Sequence, residues 1–180
     1  MPRTRPHLER DEKVDELVDA AVRRLLDGGY QELSIADIAR ELGLAQNAIY
    51  WYFPTKDHLF VAAVHKIVDS VLSKKPRGES VAARVVWFGD SLSEFQSLRA
   101  SLNERARTSE VVAKFEADLY AGIKLLLASA LSGTVPPEDL DVTTDAVVAM
   151  VEGALLQGTS KRKRAELIRF GLERLAGVTD

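Results

Sequence analysis

Glycines and helical apolar spacing around residues 28–60 constrain the fold of this chain more than any other feature of its sequence. A run of apolar residues at three- and four-residue steps ends at Gly28-Gly29, and this predicts a first helix. A second run lies between Ser34, which forms a capping-box spacing with Asp37, and Gly43. Gly43 can form a tight turn because it has no Cβ to disfavour positive φ. The two runs consist of Val14, Leu17, Val18, Ala21 and Leu25, then Ile35, Ile38, Ala39 and Leu42.

The segment after Gly43 predicts a short helix with two different faces. At about 100° per residue, the face that can pack on the preceding helices holds Ala45, Ala48, Ile49 and Tyr52. The opposite arc carries two amides and two large rings, on Gln46, Asn47, Tyr50 and Trp51. Amides can pair with adenine and a tyrosine hydroxyl can donate to a phosphate, so this face favours DNA reading by a helix-turn-helix. The alternative is a helical hairpin that buries these rings against a partner protein.

Residues 29–60, GYQELSIADIARELGLAQNAIYWYFPTKDHLF, resemble the N-terminal DNA-binding domain of the TetR family of bacterial regulators. The family pattern is a Gly-aromatic pair, a Thr/Ser-Ile-x-x-Ile-Ala helix, a Gly-hydrophobic turn, a Leu/Ile-Tyr-x-His/Tyr-Phe run and a capped lysine. This chain has these elements in order at Gly29-Tyr30, Ser34-Ile35 to Ile38-Ala39, Gly43-Leu44, Ile49 to Phe53, and Thr55-Lys56.

Two positions depart from the family pattern. Ala45 stands where the family often has Ser or Thr, so the third helix loses a capping hydroxyl, at a cost of about 1 kcal/mol. Asn47 stands where the family often has Gly, and it adds an amide that can read a base.

The resemblance implies that Tyr50 contacts a DNA phosphate and that Lys56 opens a fourth helix beside the DNA backbone. The residues themselves support the second role, because Thr55 can cap that helix and a helix N-terminus favours an anion. Without the family pattern, a solvated lysine and a rim aromatic are equally good interpretations. The predicted DNA-contacting residues are Ser34, Arg40, Gln46, Asn47, Tyr50, Trp51, Thr55 and Lys56.

The charge balance predicts that a few basic residues, rather than the net charge of the chain, attract DNA. The chain of 180 residues has a formal net charge of −3, which argues against a general polyanion binder. The basic residues relevant to DNA are few, namely Arg3, Arg5, Arg40 and Lys56. The proline-containing leader, residues 2–7, is predicted to be a flexible arm that either reaches a minor groove or is a disordered tail.

Composition further limits the class of protein. No apolar run approaches the roughly 20 residues needed to cross a bilayer, and no apolar segment follows the charged N-terminus as in a secretory signal. The absence of cysteine excludes disulfides and thiol catalysis and fits a reducing cytoplasm. We therefore expect a cytoplasmic protein without a membrane partner, a cofactor or a metal site.

A basic, proline-containing segment at residues 74–78 interrupts the helical pattern and predicts a domain boundary. We expect a helix-turn-helix DNA-binding domain with its arm at 1–55, a connecting helix at 56–75, and a ligand-binding and dimerisation domain at 76–180. No segment has the period of a strand, so the predicted fold is all-α. Helices in the last part are expected at 79–97, at 109–132, after Pro136-Pro137 to about Gln157, and from about Lys161 to Leu175.

The last part of the chain resembles the TetR family only in the number, order and length of its helices. In that family the last two helices pair with their twins in a dimer. The corresponding helices here are rich in apolar and small residues, which permits a homodimer; burial inside one subunit is the alternative. The apolar and small residues that would permit such an interface are Ala146, Val147, Met150, Val151, Gly153, Ala154, Leu155, Gly158, Ile168, Gly171, Leu172 and Leu175.

Large apolar residues in the same part are candidates for lining a ligand pocket, although aromatic residues at helical spacing are more often plain core. They predict a small, mostly apolar ligand. The candidates are Trp87, Phe88, Phe95, Phe115, Leu119, Tyr120 and Met150.

Two short motifs suggest other functions but fit them poorly. Gly89-Asp90-Ser91-Leu92 matches a hydrolase string that needs a strand-to-helix turn and a downstream histidine. Here it lies in a helical pattern and all histidines precede it, so we expect no enzyme. The basic run from Lys161 to Arg164 follows a helix far from the predicted reading domain, so we expect a solvated surface.

Taken together, the sequence predicts an all-α homodimer that binds a palindromic double-stranded DNA operator. A repressor released by a small-molecule effector is the favoured function. An activator or a ligand-independent regulator of the same fold, or a helical protein-interaction module, are the alternatives.

Overall fold

The computed structural model describes residues 5–178, with side chains from Arg10 onward, and within this range the only regular structure is helical. The predicted all-α class is therefore confirmed. The helices are α1 Arg5–Gly28, α2 Ile35–Glu41, α3 Gln46–Tyr50, α4 Lys56–Ser73, α5 Val81–Ser93, α6 Gln96–Ala106, α7 Glu110–Leu131, α8 Leu140–Leu156 and α9 Lys161–Ala176, with a short 3-10 helix, Gly29–Glu32, after α1. Every helix in the described range is too short or too polar to cross a bilayer.

These helices form two compact units that do not follow chain order. The first unit contains the described residues up to Leu72 together with Ser97–Glu116. The second contains Ser73–Gln96 and the described residues from Ala117 onward. The long helix α7 therefore contributes its first turns to one unit and the rest of its length to the other.

In the first unit, α1 packs on the 3-10 helix and on α2, and α2 packs on α3. The predicted apolar stripes provide the core, and fully burying one such side chain contributes about 1.5–3 kcal/mol. Val14 and Leu42 are half-buried. The buried residues of these stripes are Leu17, Val18, Ala21, Leu25, Ile35, Ile38 and Ala39.

The cap and the turn predicted around α2 are both present. The Ser34 hydroxyl accepts a hydrogen bond from the backbone N–H of Asp37 at 3.2 Å. Gly43 has a φ of 65°, which only glycine adopts without strain. The two features set the beginning of α2 and the turn into the segment that follows it.

The leader is shorter than the sequence predicts. Helix α1 begins at Arg5, so the prediction of a flexible arm is wrong for Arg5, Pro6 and His7. The first turn of a helix tolerates proline because its N–H groups have no intrahelical acceptor. The rest of the predicted arm, residues 2–4, lies outside the described residues.

The helix expected at 79–97 ends earlier, at Ser93, and a further helix, α6, which is not predicted from the sequence, begins at Gln96. Helix α5 ends at Ser93, and the backbone N–H groups of Glu94 and Phe95 bond three residues back, at 3.3 and 3.2 Å. Helix α6 then buries only Leu98 and Leu102. Two apolar residues are too few to mark an amphipathic helix in the sequence, so α6 was not predicted.

In the second unit, α9 packs on α8 and on α5 around a common core. Most of the residues expected at an interface between subunits are buried here within a single chain. They therefore cannot line such an interface, and that part of the prediction is wrong. The interface candidates buried in this way are Val147, Val151, Ala154, Leu155, Ile168, Gly171 and Leu172.

The basic run at the start of α9 is not a uniformly solvated surface. Arg164 is only 5% exposed, and its Nε and Nη2 donate to Asp90 Oδ1 on α5 at 3.0 and 2.6 Å. Its guanidinium also donates to the Ser93 hydroxyl and the Thr159 carbonyl, each at 3.1 Å. Lys161 lies 3.3 Å from the second Asp90 oxygen. The run therefore fastens α9 to α5, and Arg164 was wrongly predicted to be solvated.

Candidate nucleic-acid interface

Helix α3 presents the predicted polar and aromatic face to solvent. Gln46, Asn47, Tyr50 and Trp51 are all exposed, and Trp51 reaches 84%. On the opposite face Ile49 is fully buried, while Ala48 and Tyr52 are half-buried. Ala45 is exposed, so it does not join the packing face as expected.

Helix α3 is short and depends on its neighbours for stability. It has 5 residues and Ala45 makes no side-chain cap bond, as the absence of a hydroxyl predicts. The backbone N–H groups of Tyr52 and Phe53 bond to the Ile49 carbonyl at 2.9 Å each. Because an isolated helix of this length is unstable in water, the buried side chains of Ile49 and Phe53 hold it in place.

Thr55 caps the start of α4, as predicted. Its hydroxyl oxygen accepts a hydrogen bond from the backbone N–H of His58 at 3.4 Å and lies 2.9 Å from His58 Nδ1. The first turn of a helix has N–H groups without intrahelical acceptors, and the helix dipole makes this end attractive to anions. Lys56 adds a charged side chain at this position.

The Lys56 ammonium lies over the ring of Tyr30, 4.0 Å from the ring centroid, a cation–π geometry. Partial burial lowers the pKa of Lys56, and the nearby Arg105 guanidinium lowers it further, whereas Asp57 raises it. Lys56 is thus a half-buried cation held against an aromatic ring.

Asp57, the next residue, is the centre of a hydrogen-bond network. It accepts from the Tyr30 hydroxyl at 2.6 Å and from Arg105 Nη2 and Nε at 2.7 and 3.3 Å, and it also bonds to Ser109. Burial raises the pKa of the Asp57 carboxyl, but these hydrogen bonds outweigh burial and the pKa lies below its usual value. The pKa of Tyr30 is raised to about 12, first by burial and then by its bond to Asp57.

The two remaining predicted contacts lie on α2. Ser34 is half-buried in its capping role, and the exposed Arg40 pairs with Asp37 at 2.6 Å. The end of α2 is tied to α1 by Arg24, whose guanidinium lies 2.6 Å from a Glu41 carboxylate oxygen. This ion pair links the two helices that support α3.

Sequence reasoning did not assign a role to Tyr30, Asp57 or Arg105. Tyr30 entered only as part of the family pattern, and Asp57 could have been noticed as an acidic residue in the first turn of a helix. No local signal marks Arg105, which lies 48 residues from Asp57 in the chain.

The candidate pocket residues are spread over several helices. Phe115 lies in the first unit, with its ring centroid 6.3 Å from that of His65. The other candidates belong to the second unit, where Met150 packs so closely on α9 that a Cβ at Gly171 would lie 2.0 Å from its sulfur. Trp87, Phe88, Phe95, Phe115, Leu119 and Met150 are half-buried, and Tyr120 is exposed.

A depression of about 400 Å³ lies elsewhere in the second unit, between the α7–α8 loop and the end of α9. None of the candidate pocket residues lines it. Its lining residues are Thr134, Val135, Pro136, Asp139, Val142, Thr143, Leu175, Ala176 and Gly177.

The exposed face of α3 and the start of α4 lie close together in the chain and are chemically complementary to DNA. Amides can make bidentate bonds to base edges, and a positive helix end with a lysine can hold a phosphate. The arrangement can therefore supply both the contacts that specify a sequence and the contacts that position a protein on the duplex.

Comparison with known proteins identifies the same region. Residues 17–63 match the family model described as bacterial regulatory proteins, tetR family. The transcriptional regulator BetI of Rhizobium meliloti (strain 1021) is 26% identical over 157 residues, covering 81% of this chain and 77% of BetI. The transcriptional repressor KstR of Rhodococcus jostii (strain RHA1) is 27% identical over 140 residues, covering 71% of this chain and 64% of KstR.

Solved structures extend the similarity to the whole fold. A tetR-family transcriptional regulator from Streptomyces coelicolor superimposes with a TM-score of 0.68 at 24% identity, covering 93% of this chain and 80% of that one. The curated relatives are transcriptional regulators rather than enzymes. Residues 17–63 therefore form a DNA-binding domain of the tetR-family type, and the chain is a TetR-like DNA-binding transcriptional regulator.

Proposed function

We propose that this regulator is a homodimeric repressor that binds a palindromic operator and is released from it by a small, mostly apolar molecule. Gln46 and Asn47 read base edges in the major groove. The contacts to the DNA backbone are assigned to Ser34, Arg40, Tyr50, Trp51, Thr55 and Lys56. In this function, residues 1–55 form the DNA-binding domain, residues 56–75 the connecting helix, and residues 76–180 the ligand-binding and dimerisation domain. The protein acts in the cytoplasm.

The observation that carries the proposal is the one-sided exposure of α3. Its amides and large rings all face solvent, while Ile49 on the other side is fully buried. A helix held by one buried face leaves the other face free to enter a groove about 12 Å wide. The capped start of α4 follows within a few residues, so a phosphate contact can accompany each base contact.

Dimerisation is supported by apolar side chains that the single chain leaves exposed on its last two helices. Two copies related by a two-fold axis would place their α3 helices at half-sites about 34–36 Å apart. Sedimentation equilibrium of the full chain tests this, and a monomer at all concentrations would contradict it. The exposed apolar residues are Val142, Leu156, Phe170 and Leu175.

The effector is proposed to contact the half-buried aromatic residues named above, among them Trp87. The chain has 2 tryptophans, so a Trp51→Phe variant leaves Trp87 as the only indole that reports binding. Apolar metabolites should quench its fluorescence and dissociate the protein–DNA complex. Quenching and release by charged, sugar-like molecules alone would contradict the proposed ligand class.

The DNA-reading face is tested by selecting duplexes from random sequence with the wild-type chain and repeating the selection with variants. Gln46→Ala and Asn47→Ala should relax preference at particular base pairs, by about 1–3 kcal/mol each. Tyr50→Phe and Lys56→Ala should weaken all sequences about equally, because backbone contacts carry no sequence information. Enrichment of each base at each position separates the two effects.

Gln31→Ala is the matched control, since it removes the same amide from an exposed position in the 3-10 helix outside α3. Its sequence profile should match that of the wild-type chain. If the changes at positions 46 and 47 also leave the profile untouched, the proposed reading face is wrong. If the wild-type chain selects no common sequence at physiological salt, a protein-interaction module anchored by Tyr50 and Trp51 becomes the better function.

A further inference from the structure

We infer that Arg105 is a positioning residue for the phosphate contact at the start of α4. It holds and neutralises Asp57, so that Lys56 and the α4 N-terminus meet the DNA backbone with their positive charge undiminished. The inference rests on the proposed role of Lys56 in DNA binding and adds to it a residue from a distant part of the chain.

The geometry of the pair is specific. Arg105, near the end of α6, donates from Nη2 to Asp57 Oδ2 at 2.7 Å and from Nε to Asp57 Oδ1 at 3.3 Å. This fork uses both carboxylate oxygens, and such a pairing fixes orientation as well as charge. Both residues lie in the first compact unit, in which Ser97–Glu116 packs with the helix-turn-helix.

The electrostatic need for this pair follows from the position of Asp57. A carboxylate in the first turn stabilises the helix through its dipole, but it also repels an incoming phosphate. Asp57 adjoins Lys56, so without a partner it would cancel much of the field that Lys56 presents. Arg105 supplies that partner and leaves the charge of Lys56 uncompensated.

Tyr30 connects Arg105 with Lys56 directly. Both cations lie over its ring, with Lys56 Nζ at 4.0 Å and Arg105 Cζ at 5.0 Å from the centroid. The Tyr30 hydroxyl bonds to Asp57, and its ring meets Phe60 edge-on at 5.0 Å. The position of the Lys56 ammonium is thus set by a ring that the Asp57–Arg105 pair holds in place.

The experiment compares full-chain variants on a mixed-sequence duplex of about 30 base pairs, long enough for two half-sites. Because backbone contacts are independent of sequence, this probe does not require the operator. Arg105→Gln should weaken binding about tenfold and lower the slope of log affinity against log salt by about one. Asp57→Asn/Arg105→Gln should return the affinity to within about threefold of wild type, because both charges are removed together.

Arg107→Gln is the matched control, since it removes the same charge two residues away from an exposed side chain that does not contact Asp57. It should change the affinity less than about twofold. A second measurement needs no DNA: the pKa of Lys56, followed by NMR, should rise in Arg105→Gln, because a neighbouring cation that lowers it is gone.

Equal weakening by Arg105→Gln and Arg107→Gln would overturn the inference, since only net charge would then matter. Failure of the double variant to recover affinity, or a Lys56 pKa unchanged by Arg105→Gln, would also overturn it. If Arg105→Gln does not fold, the double variant decides the matter, because a tenfold loss in that folded protein contradicts charge compensation. Failure of the operator selection is a separate result, since this test uses non-specific binding.

Discussion

Two Asp–Arg pairs in this protein have the same chemistry and different surroundings. Asp57 and Arg105 join α4 to α6 in the first unit, with side chains 13% and 32% exposed. Asp90 and Arg164 join α5 to α9 in the second unit, with side chains 15% and 6% exposed. The carboxylates are equally buried, so the difference lies in the arginine and in what surrounds it.

The surroundings of each ion pair determine whether its loss affects stability or DNA binding. The Arg164 guanidinium also donates hydrogen bonds to the Ser93 hydroxyl and the Thr159 carbonyl, inside the core formed by three helices. The Arg105 guanidinium lies beside Tyr30 and near Lys56, which is proposed to contact the DNA backbone. Removing one partner of a buried pair leaves an uncompensated charge, whereas a partly exposed pair is screened by water. The Asp90–Arg164 pair should therefore govern stability, and the Asp57–Arg105 pair should govern binding to DNA.

The largest effect is expected from Arg164→Ala, which should lower the free energy of unfolding by about 3–5 kcal/mol. Asp90 would keep only Lys161, at 3.3 Å, and the Ser93 and Thr159 acceptors would lose their donor. Urea denaturation followed by circular dichroism measures the change. Arg162→Ala, an exposed neighbour in the same run, is the control and should change stability by less than about 0.5 kcal/mol. Equal losses from both variants would remove the distinction between the pairs.

A smaller effect on stability is expected from Arg105→Gln, about 1 kcal/mol, because solvent screens this pair. The same denaturation measurement applies, with Arg107→Gln as the control. The two pairs have different roles if Arg105→Gln weakens DNA binding strongly while Arg164→Ala, in the fraction that remains folded, does not. If Arg105→Gln loses as much stability as Arg164→Ala, both pairs mainly stabilise the fold.

The last expected effect appears only in alkali and involves Tyr30. Its pKa rises from 10.0 to about 12 in the folded protein, so folding favours the neutral phenol. The corresponding stability is fully present below pH 10 and is lost as the pH rises toward 12. The free energy of unfolding should therefore fall more steeply over this window in the wild-type chain than in Tyr30→Phe. Tyr52→Phe, outside the network, should follow the wild-type profile; parallel profiles for all three proteins would refute the assignment.

The N-terminal helices could be predicted from the sequence because their signals are local. The stripes of α1 and α2, the Ser34 cap and the positive φ of Gly43 each depend on residues a few positions apart. The exposed and buried faces of α3 followed from the same spacing, apart from Ala45. Helix α6 could not be predicted, because Leu98 and Leu102 alone carry its apolar face.

Two of the errors arose where a contact spans a long stretch of chain. A run of four basic residues normally indicates a solvated surface, but Arg164 reaches an aspartate 74 positions earlier and is buried by it. The apolar residues of α8 and α9 fit either an interface or a core, since both bury apolar area. Packing within one chain decided for the core at positions such as Val147 and Leu172.

The sequence by itself determined the all-α class, the helix-turn-helix, its family and the polar face of α3. Helical periodicity, caps and glycine turns act within a few residues, so the order of residues is enough to specify them. Only the tertiary structure decided that Arg105 joins Asp57 and that Arg164 joins Asp90. Pairing across 48 and 74 residues depends on how helices pack, and helix packing is set by the whole core rather than by any local pattern.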